Sequence, residues 1–171
     1  MKTALLVIDV QKFFINQSTK DIPRKIASFI RRNNFVNVYF FKFVNSKESN
    51  WYKAGWRRMM NKEETDIVPE LQLFSNNENT FTKSAFSVFR VKNFVEIIKK
   101  KNITKLLICG LDTHACIYTT TLEAYERGYM VNVISDLCGA SHGKKYHSFA
   151  LKSLLKNLGN QILISTKDLS K

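Results

Sequence analysis

The 171 residues contain no run of about twenty apolar residues, so no transmembrane helix is expected. Cysteine is scarce and odd in number. Cys109, Cys116 and Cys138 show no C-x-x-C spacing, which argues against a disulfide framework or a structural zinc site. No glycine-rich phosphate loop or dinucleotide fingerprint is present. Internal repeats, low-complexity tracts and flexible linkers are also missing, so residues 1–171 read as a single domain. The N-terminus runs straight from Met1-Lys2-Thr3-Ala4 into a short strand-like segment. It lacks the long apolar region of a secretory signal, and a cytoplasmic location is expected.

Acidic residues are few, 14 against 27 Lys and Arg, giving a net charge of +13. The basic residues are dispersed as Arg31-Arg32, Arg57-Arg58, Lys99-Lys100-Lys101 and Lys144-Lys145, at positions that read as helix ends and exposed faces. Asparagine pairs such as Asn33-Asn34 and Asn76-Asn77 accompany them, as in a chain of generally Lys- and Asn-rich composition. The charge is therefore read as a solvated surface and not as a nucleic-acid footprint. Nucleic-acid binding is kept as an alternative, with salt-dependent retention on DNA as its test.

What is there is a regular alternation of apolar segments. Ala4–Val10 reads as a buried parallel strand, and Asp21-Ile22-Pro23 opens a helix carried by Ile26, Phe29 and Ile30. Val36–Val44 is a second strand. Residues Asn45–Asn79 are irregular, hold both tryptophans, and suggest a helical piece near Trp51–Met60. Thr80–Lys83 reads as a strand, Val91–Lys101 as a helix and Lys105–Gly110 as a strand. Ala115–Arg127 reads as a helix stopped by Gly128, and Tyr129–Asp136 as a strand. Lys144–Asn157 reads as a helix with Phe149, Leu151, Leu154 and Leu155 inward, and Gln161–Ser165 as a last strand. The alternation implies an α/β fold, a parallel sheet with helices on both faces. In such sheets ligands bind beyond the C-terminal strand ends, at the switch in strand order.

Three polar residues fall at that edge. Asp9 ends the first strand inside an apolar run and needs a partner, which Lys83 can supply. The stretch Leu106–Cys116 ends a strand at Gly110 and delivers a thiol to the start of a helix. The free N–H groups and dipole there are expected to lower the Cys116 pKa and to hold an oxyanion. A buried ion pair with an inert core cysteine is the alternative reading. Cys109 reads as core, and Cys138 lies close to the same edge. His114 sits in the turn before Cys116, too close along the chain to act as its base, and reads as pocket rim. His142 and His147 are not at ligand spacing on one helix face, so no metal site is expected.

With these residues in place the chain resembles the isochorismatase-like cysteine hydrolases, which include nicotinamidases, N-carbamoylsarcosine amidases and isochorismatases. ALLVIDVQKFF is similar to the family's opening strand, FTKSAFSVF to its lysine segment, and CGLDTHACIYTTTLEAYERGYMVNVISDLCGAS to its nucleophile turn, helix and next strand. The resemblance implies a three-layer α/β/α sandwich with a mostly parallel six-stranded sheet. It implies Asp9 as acid/base, Lys83 as charge stabiliser and Cys116 as nucleophile. It further implies a cis peptide at Leu111–Asp112, with the N–H groups of Asp112 and Cys116 as the oxyanion hole. The activity implied is hydrolysis of a small-molecule amide through a thioester. Vinyl-ether hydrolysis using Asp9 and Lys83 is the alternative reaction, and a non-catalytic or nucleic-acid-binding protein on the same fold is the further alternative. Substrate contacts are expected from Gln11, Phe14, Trp51, Trp56, Phe86 and His114, with Phe13 and a carboxylate-pairing Arg57 as weaker candidates. Nicotinamidases carry an Asp-x-His and a further His that bind a metal. Lys42–Trp56 contains no Asp or His, so neither metal nor cofactor is expected. Homo-oligomers are common in the family, and one is expected here.

Overall fold

A computed structural model describes residues 1–169. The strands are β1 (Thr3–Ile8), β2 (Val38–Phe43), β3 (Thr80–Lys83), β4 (Lys105–Gly110), β5 (Met130–Cys138) and β6 (Leu163–Ile164). They form one sheet in the order β3-β2-β1-β4-β5-β6, and every pair is parallel. The helices are α1 (Ile22–Asn33), α2 (Asn50–Lys53), α3 (Lys62–Thr65), α4 (Pro69–Gln72), α5 (Lys92–Lys100), α6 (Tyr118–Glu126) and α7 (Lys144–Leu158). This is the α/β/α sandwich that the alternation of segments implies, with the sheet wholly parallel. No helix among the described residues is long and apolar enough to cross a membrane.

The strand order positions the site. The chain builds outward from β1 through β2 to β3, then returns to lay β4 against the other side of β1. The split between β1 and β4 is the switch point, where the two connections leave in opposite directions and open a crevice. Register aligns the C-terminal strand ends there. Ile8 pairs with Phe41 and Gly110, Phe43 with Lys83, and Gly110 with Cys138. Gly110 must be glycine, because φ is +119° and a Cβ would lie 2.1 Å from the Ile8 carbonyl oxygen.

The core follows from the apolar runs. In β1, Ala4 to Ile8 are fully buried, as a strand covered on both faces requires. Phe94 of α5 is fully buried and meets Phe41 at 4.8 Å and Phe81 at 5.6 Å between ring centres. Helix α1 buries Ile26, Phe29 and Ile30.

Several expectations are corrected. The helical piece expected near Trp51–Met60 is one turn only, Asn50–Lys53. Ser49 caps it by accepting from the Tyr52 N–H, and Gly55 at φ +94° ends it before Trp56. The last strand shrinks to Leu163–Ile164 because residues 160–162 turn instead, while β5 extends on to Cys138. The helix expected over Ala115–Arg127 opens at a π-helical turn, Thr113–Ile117, before α6 begins. Phe149 is 72% exposed and does not face inward. The buried stripe of α7 runs through Ala150 and Leu154, and a neighbour one residue off that stripe is rotated about 100° away.

Phe94→Ala is expected to cost about 3–5 kcal/mol through loss of buried area and an unfilled cavity. Phe149→Ala is expected to stay within about 0.5 kcal/mol. Urea midpoints of the two variants check this, and similar losses in both would contradict the packing.

Candidate active site

Asp9 follows the last residue of β1 in the left-handed region, at φ +53°, which aspartate tolerates better than most residues. Its backbone N–H donates to the Phe41 carbonyl at 2.9 Å and fixes it at the sheet edge. Its carboxylate is fully buried. From the end of β3, two strands away, Lys83 reaches under the same edge with no side-chain exposure. Its Nζ donates to Asp9 Oδ2 at 2.7 Å, to the Ala85 carbonyl at 2.9 Å and to Cys116 Sγ at 3.3 Å. An ammonium has three N–H donors, and these contacts use all three.

Cys116 sits in the π-helical turn. That turn closes with Ala115 N–H and Ile117 N–H both donating to the Asp112 carbonyl, at 3.0 and 3.2 Å. Thr113 pins it to β5, donating through both its N–H and its hydroxyl to the Gly139 carbonyl at 2.8 Å. The Leu111–Asp112 peptide bond is cis. The Asp112 carboxylate is itself buried, and accepts from the Ser141 N–H and hydroxyl at 2.6 Å each. The sheet thus brings Asp9, Lys83 and Cys116 together as their placement at strand ends implies.

The thiol pKa is a correction. A position at a helix start implies a lowered value, but here burial pushes the Cys116 thiol well above its ordinary value. The hydrogen-bonded Asp9 carboxylate adds to the rise, and Lys83 only partly opposes it. Burial also raises Asp9, against the pull of Lys83 and the thiol. For Lys83 burial acts downward, but Asp9 and Cys116 outweigh it and the net shift is upward. An ammonium thus faces a carboxyl and a thiol that both hold their protons more tightly than exposed groups, and the three titrate as a set.

A cavity of about 560 Å³ opens above Cys116. One wall is aromatic, with Phe13, Phe14, Phe43, Trp51, Trp56 and Phe86. Their rings pack edge to face, Phe43 on Trp51 at 5.1 Å and Trp51 on Phe86 at 5.4 Å. A second part of the lining is polar, with Asp112, His114, Ser141 and His142. Asn45, buried, ties the tryptophan loop down by donating to the Trp56 and Arg58 carbonyls at 3.0 and 3.1 Å.

Of the expected contacts, Phe14, Trp51, Trp56, Phe86, His114 and the weaker candidate Phe13 line this cavity. Gln11 does not. It is fully buried, donates to the Phe43 and Thr65 carbonyls at 2.9 and 2.7 Å and accepts from the Phe43 N–H at 2.8 Å, so its amide staples β2 to the loop before β3. Arg57 is also off the wall, its guanidinium lying 5.1 Å from the centre of the Tyr52 ring. Sequence reasoning missed Phe43, readable only as the apolar end of β2, and missed Ser141, His142 and the Asp112 side chain. Asp112, His114 and His142 offer ligand atoms within 4.8 Å of one another, a carboxylate–histidine group that spacing along the chain conceals.

Comparison with known proteins agrees with this architecture. The isochorismatase domain family matches residues 3–167. An isochorismatase family protein of Bacillus subtilis is 26% identical over 168 residues, covering 92% of this chain and 88% of its own. The crystal structure of an isochorismatase-like hydrolase from Alkaliphilus metalliredigens superposes with a TM-score of 0.84 at 18% identity, over 99% of this chain and 97% of that one. N-carbamoylsarcosine amidase from Thermoplasma acidophilum gives 0.79 at 19% identity, over 97% of both chains.

The other two cysteines are buried away from this chemistry. Burial pushes the Cys138 thiol from 9.0 up to about 12. A raised folded-state value means its stabilising contribution is present below pH 9 and is lost as pH climbs toward 12, because the unfolded thiol ionises first. Unfolding free energy is expected to fall with pH in that window, with Cys138 supplying up to about 1.4 kcal/mol per pH unit. Cys138→Ala should reduce that slope in urea titrations at alkaline pH, whatever it does to the overall stability. An unchanged slope would contradict the assignment.

Proposed function

Because the chain belongs to the isochorismatase family of hydrolases, we propose that it cleaves the C–N bond of a small amide through a thioester on Cys116. The observation that carries this reading is the placement of one buried ammonium, Lys83 Nζ, within hydrogen-bond reach of both Asp9 and Cys116 at the base of the cavity. Asp9 removes the proton of Cys116, and Sγ attacks the carbonyl carbon. Lys83 holds the negative charge wherever it lies along the Asp9–Cys116 pair. The oxyanion is received by the backbone N–H groups of Asp112 and Cys116. Asp9 then gives its proton to the leaving nitrogen as the C–N bond breaks. It takes a proton from water as water attacks the thioester, and the C–S bond breaks to free the acid and restore the thiol. A carboxyl group with a raised pKa suits this double duty, since it holds a proton more readily than an exposed aspartate.

None of these steps calls on a metal or cofactor. The aromatic wall supports a flat, uncharged acyl group as substrate, because stacking on Trp51 and Trp56 rewards it. Arg57 supplies no counter-charge for a carboxylate.

Ammonia or amine release from a panel of small amides tests the proposal. Flat aromatic amides are expected to outpace carboxylate-bearing ones. Cys116→Ala and Asp9→Asn are each expected to lower kcat/KM by about 10³-fold or more. Intact-mass analysis should find an acyl adduct on Cys116 in the wild type. Hydrolysis that survives Cys116→Ala would remove the thioester and assign the reaction to Asp9 and Lys83 alone, as in vinyl-ether cleavage.

A further inference from the structure

The polar wall has no part in the chemistry above beyond the backbone N–H of Asp112. We propose that Asp112, His114 and His142 form a binding site for one divalent transition-metal ion of the zinc type, in the lining of the cavity that also holds Cys116. The inference does not rest on the proposed amide hydrolysis, because the three residues lie outside the Asp9–Lys83–Cys116 group.

The donor set is one carboxylate oxygen and two imidazole nitrogens, all within 4.8 Å of one another. Three protein ligands of this kind suit zinc, cobalt or nickel, and leave one position open. Here the open position faces the cavity that all three residues line. The imidazole rings of His114 and His142 stand 5.2 Å apart between centres and nearly perpendicular, at 81°. Two imidazoles on one tetrahedral ion, each nitrogen about 2.0–2.1 Å from the metal, have ring centres about 5 Å apart. The rings therefore already stand at a coordinating separation.

Each ligand has capacity to spare. The Asp112 oxygens accept one hydrogen bond apiece from Ser141, and a carboxylate oxygen has a second lone pair. Ser141 also fixes the carboxylate in place, as hydrogen-bonded partners commonly do for metal-ligating groups. His142 turns Nδ1 toward Asp112 Oδ2 at 3.8 Å, too long for a hydrogen bond, and its one polar contact there is a long one, 3.4 Å, with the Ser141 hydroxyl. His114 has a buried Nδ1 with no hydrogen-bond partner, so it is not committed to another contact. Tetrahedral ligand atoms lie about 3.4 Å apart, so the group must contract by an ångström or so. The movable member is His142, whose side chain is 66% exposed, while the turn holds Asp112 and His114.

Sequence spacing hides this set. Asp112 and His114 come from the turn after β4, and His142 comes from the loop after β5, 28 residues beyond His114. The parallel pairing of β4 with β5 makes those two loops neighbours.

The test uses the full chain, stripped with chelator and dialysed. Zn²⁺ is titrated by calorimetry and Co²⁺ by visible absorption. One ion per chain is expected, with Co²⁺ bands of low coordination number. His114→Ala and His142→Ala should each weaken binding at least tenfold. Ser141→Ala should weaken it by about 10–100-fold, the usual cost of losing a group that orients a ligand. Cys116→Ala should leave it intact. Circular dichroism and thermal melts of the histidine variants check that they remain folded, and exposed His142 is the safer of the two. Failure to bind Zn²⁺, Co²⁺ or Ni²⁺ at millimolar concentration would overturn the proposal. So would binding that survives both histidine variants, or binding that requires Cys116.

Discussion

Lys83 brings three N–H donors into the interior, and each meets an acceptor from a different part of the chain: Asp9 after β1, Ala85 after β3 and Cys116 after β4. An uncompensated buried ammonium would cost several kcal/mol, so the three segments must arrive together or not at all. The strand order makes that possible. Because β1 lies between the two halves of the sheet, its C-terminal end is the place where a residue from the β3 edge and a residue from the β4 turn can converge. Register, the glycine at position 110 and the hydrogen bonds that pin the nucleophile turn all serve this convergence. The same ammonium favours a negative charge on the carboxyl and on the thiol alike.

The two cavity walls have different supports. The two tryptophans of the aromatic wall hang on a long connection held by side-chain amides, while Phe13 and Phe14 follow β1, Phe43 ends β2 and Phe86 follows β3. Asn45 clamps the tryptophan segment, and Gln11 clamps β2 to the residues before β3. The polar wall is built on the turn that carries Cys116 and on the loop that Ser141 joins to Asp112. Asp112 belongs to both: its carbonyl closes the turn that carries Cys116, and its carboxylate is held by Ser141.

Much of this was legible in the sequence, and the boundary is physical. Strands showed as apolar runs, because a parallel strand buried on both faces has no polar alternation to confuse the reading. Asp9, Lys83 and Cys116 showed as polar residues at strand ends. The sign of the thiol shift was not legible. Sequence reveals the turn and its dipole but not the desolvation, and desolvation is the larger effect here. Gln11 was read as a pocket residue because it neighbours Asp9, while its amide is spent entirely on backbone groups far along the chain. Phe149 looked inward because an apolar residue one position off a stripe is indistinguishable by type. His142 stayed hidden because only the pairing of β4 with β5 makes it a neighbour of His114.

The tryptophan loop is inserted between β2 and β3, strands that pair directly. Lengthening or rewriting such a connection adds little closure entropy, of order 0.6 kcal/mol for each doubling. None of the three acceptors around Lys83 belongs to it. The tryptophan part of the cavity wall can thus be rewritten while the ammonium, carboxyl and thiol stay in register. A designer wishing to alter the cavity would rewrite residues 46–58, inside the Asn45 clamp, and leave Thr65, which Gln11 holds, and the buried Ile67, Val68 and Leu71 in place.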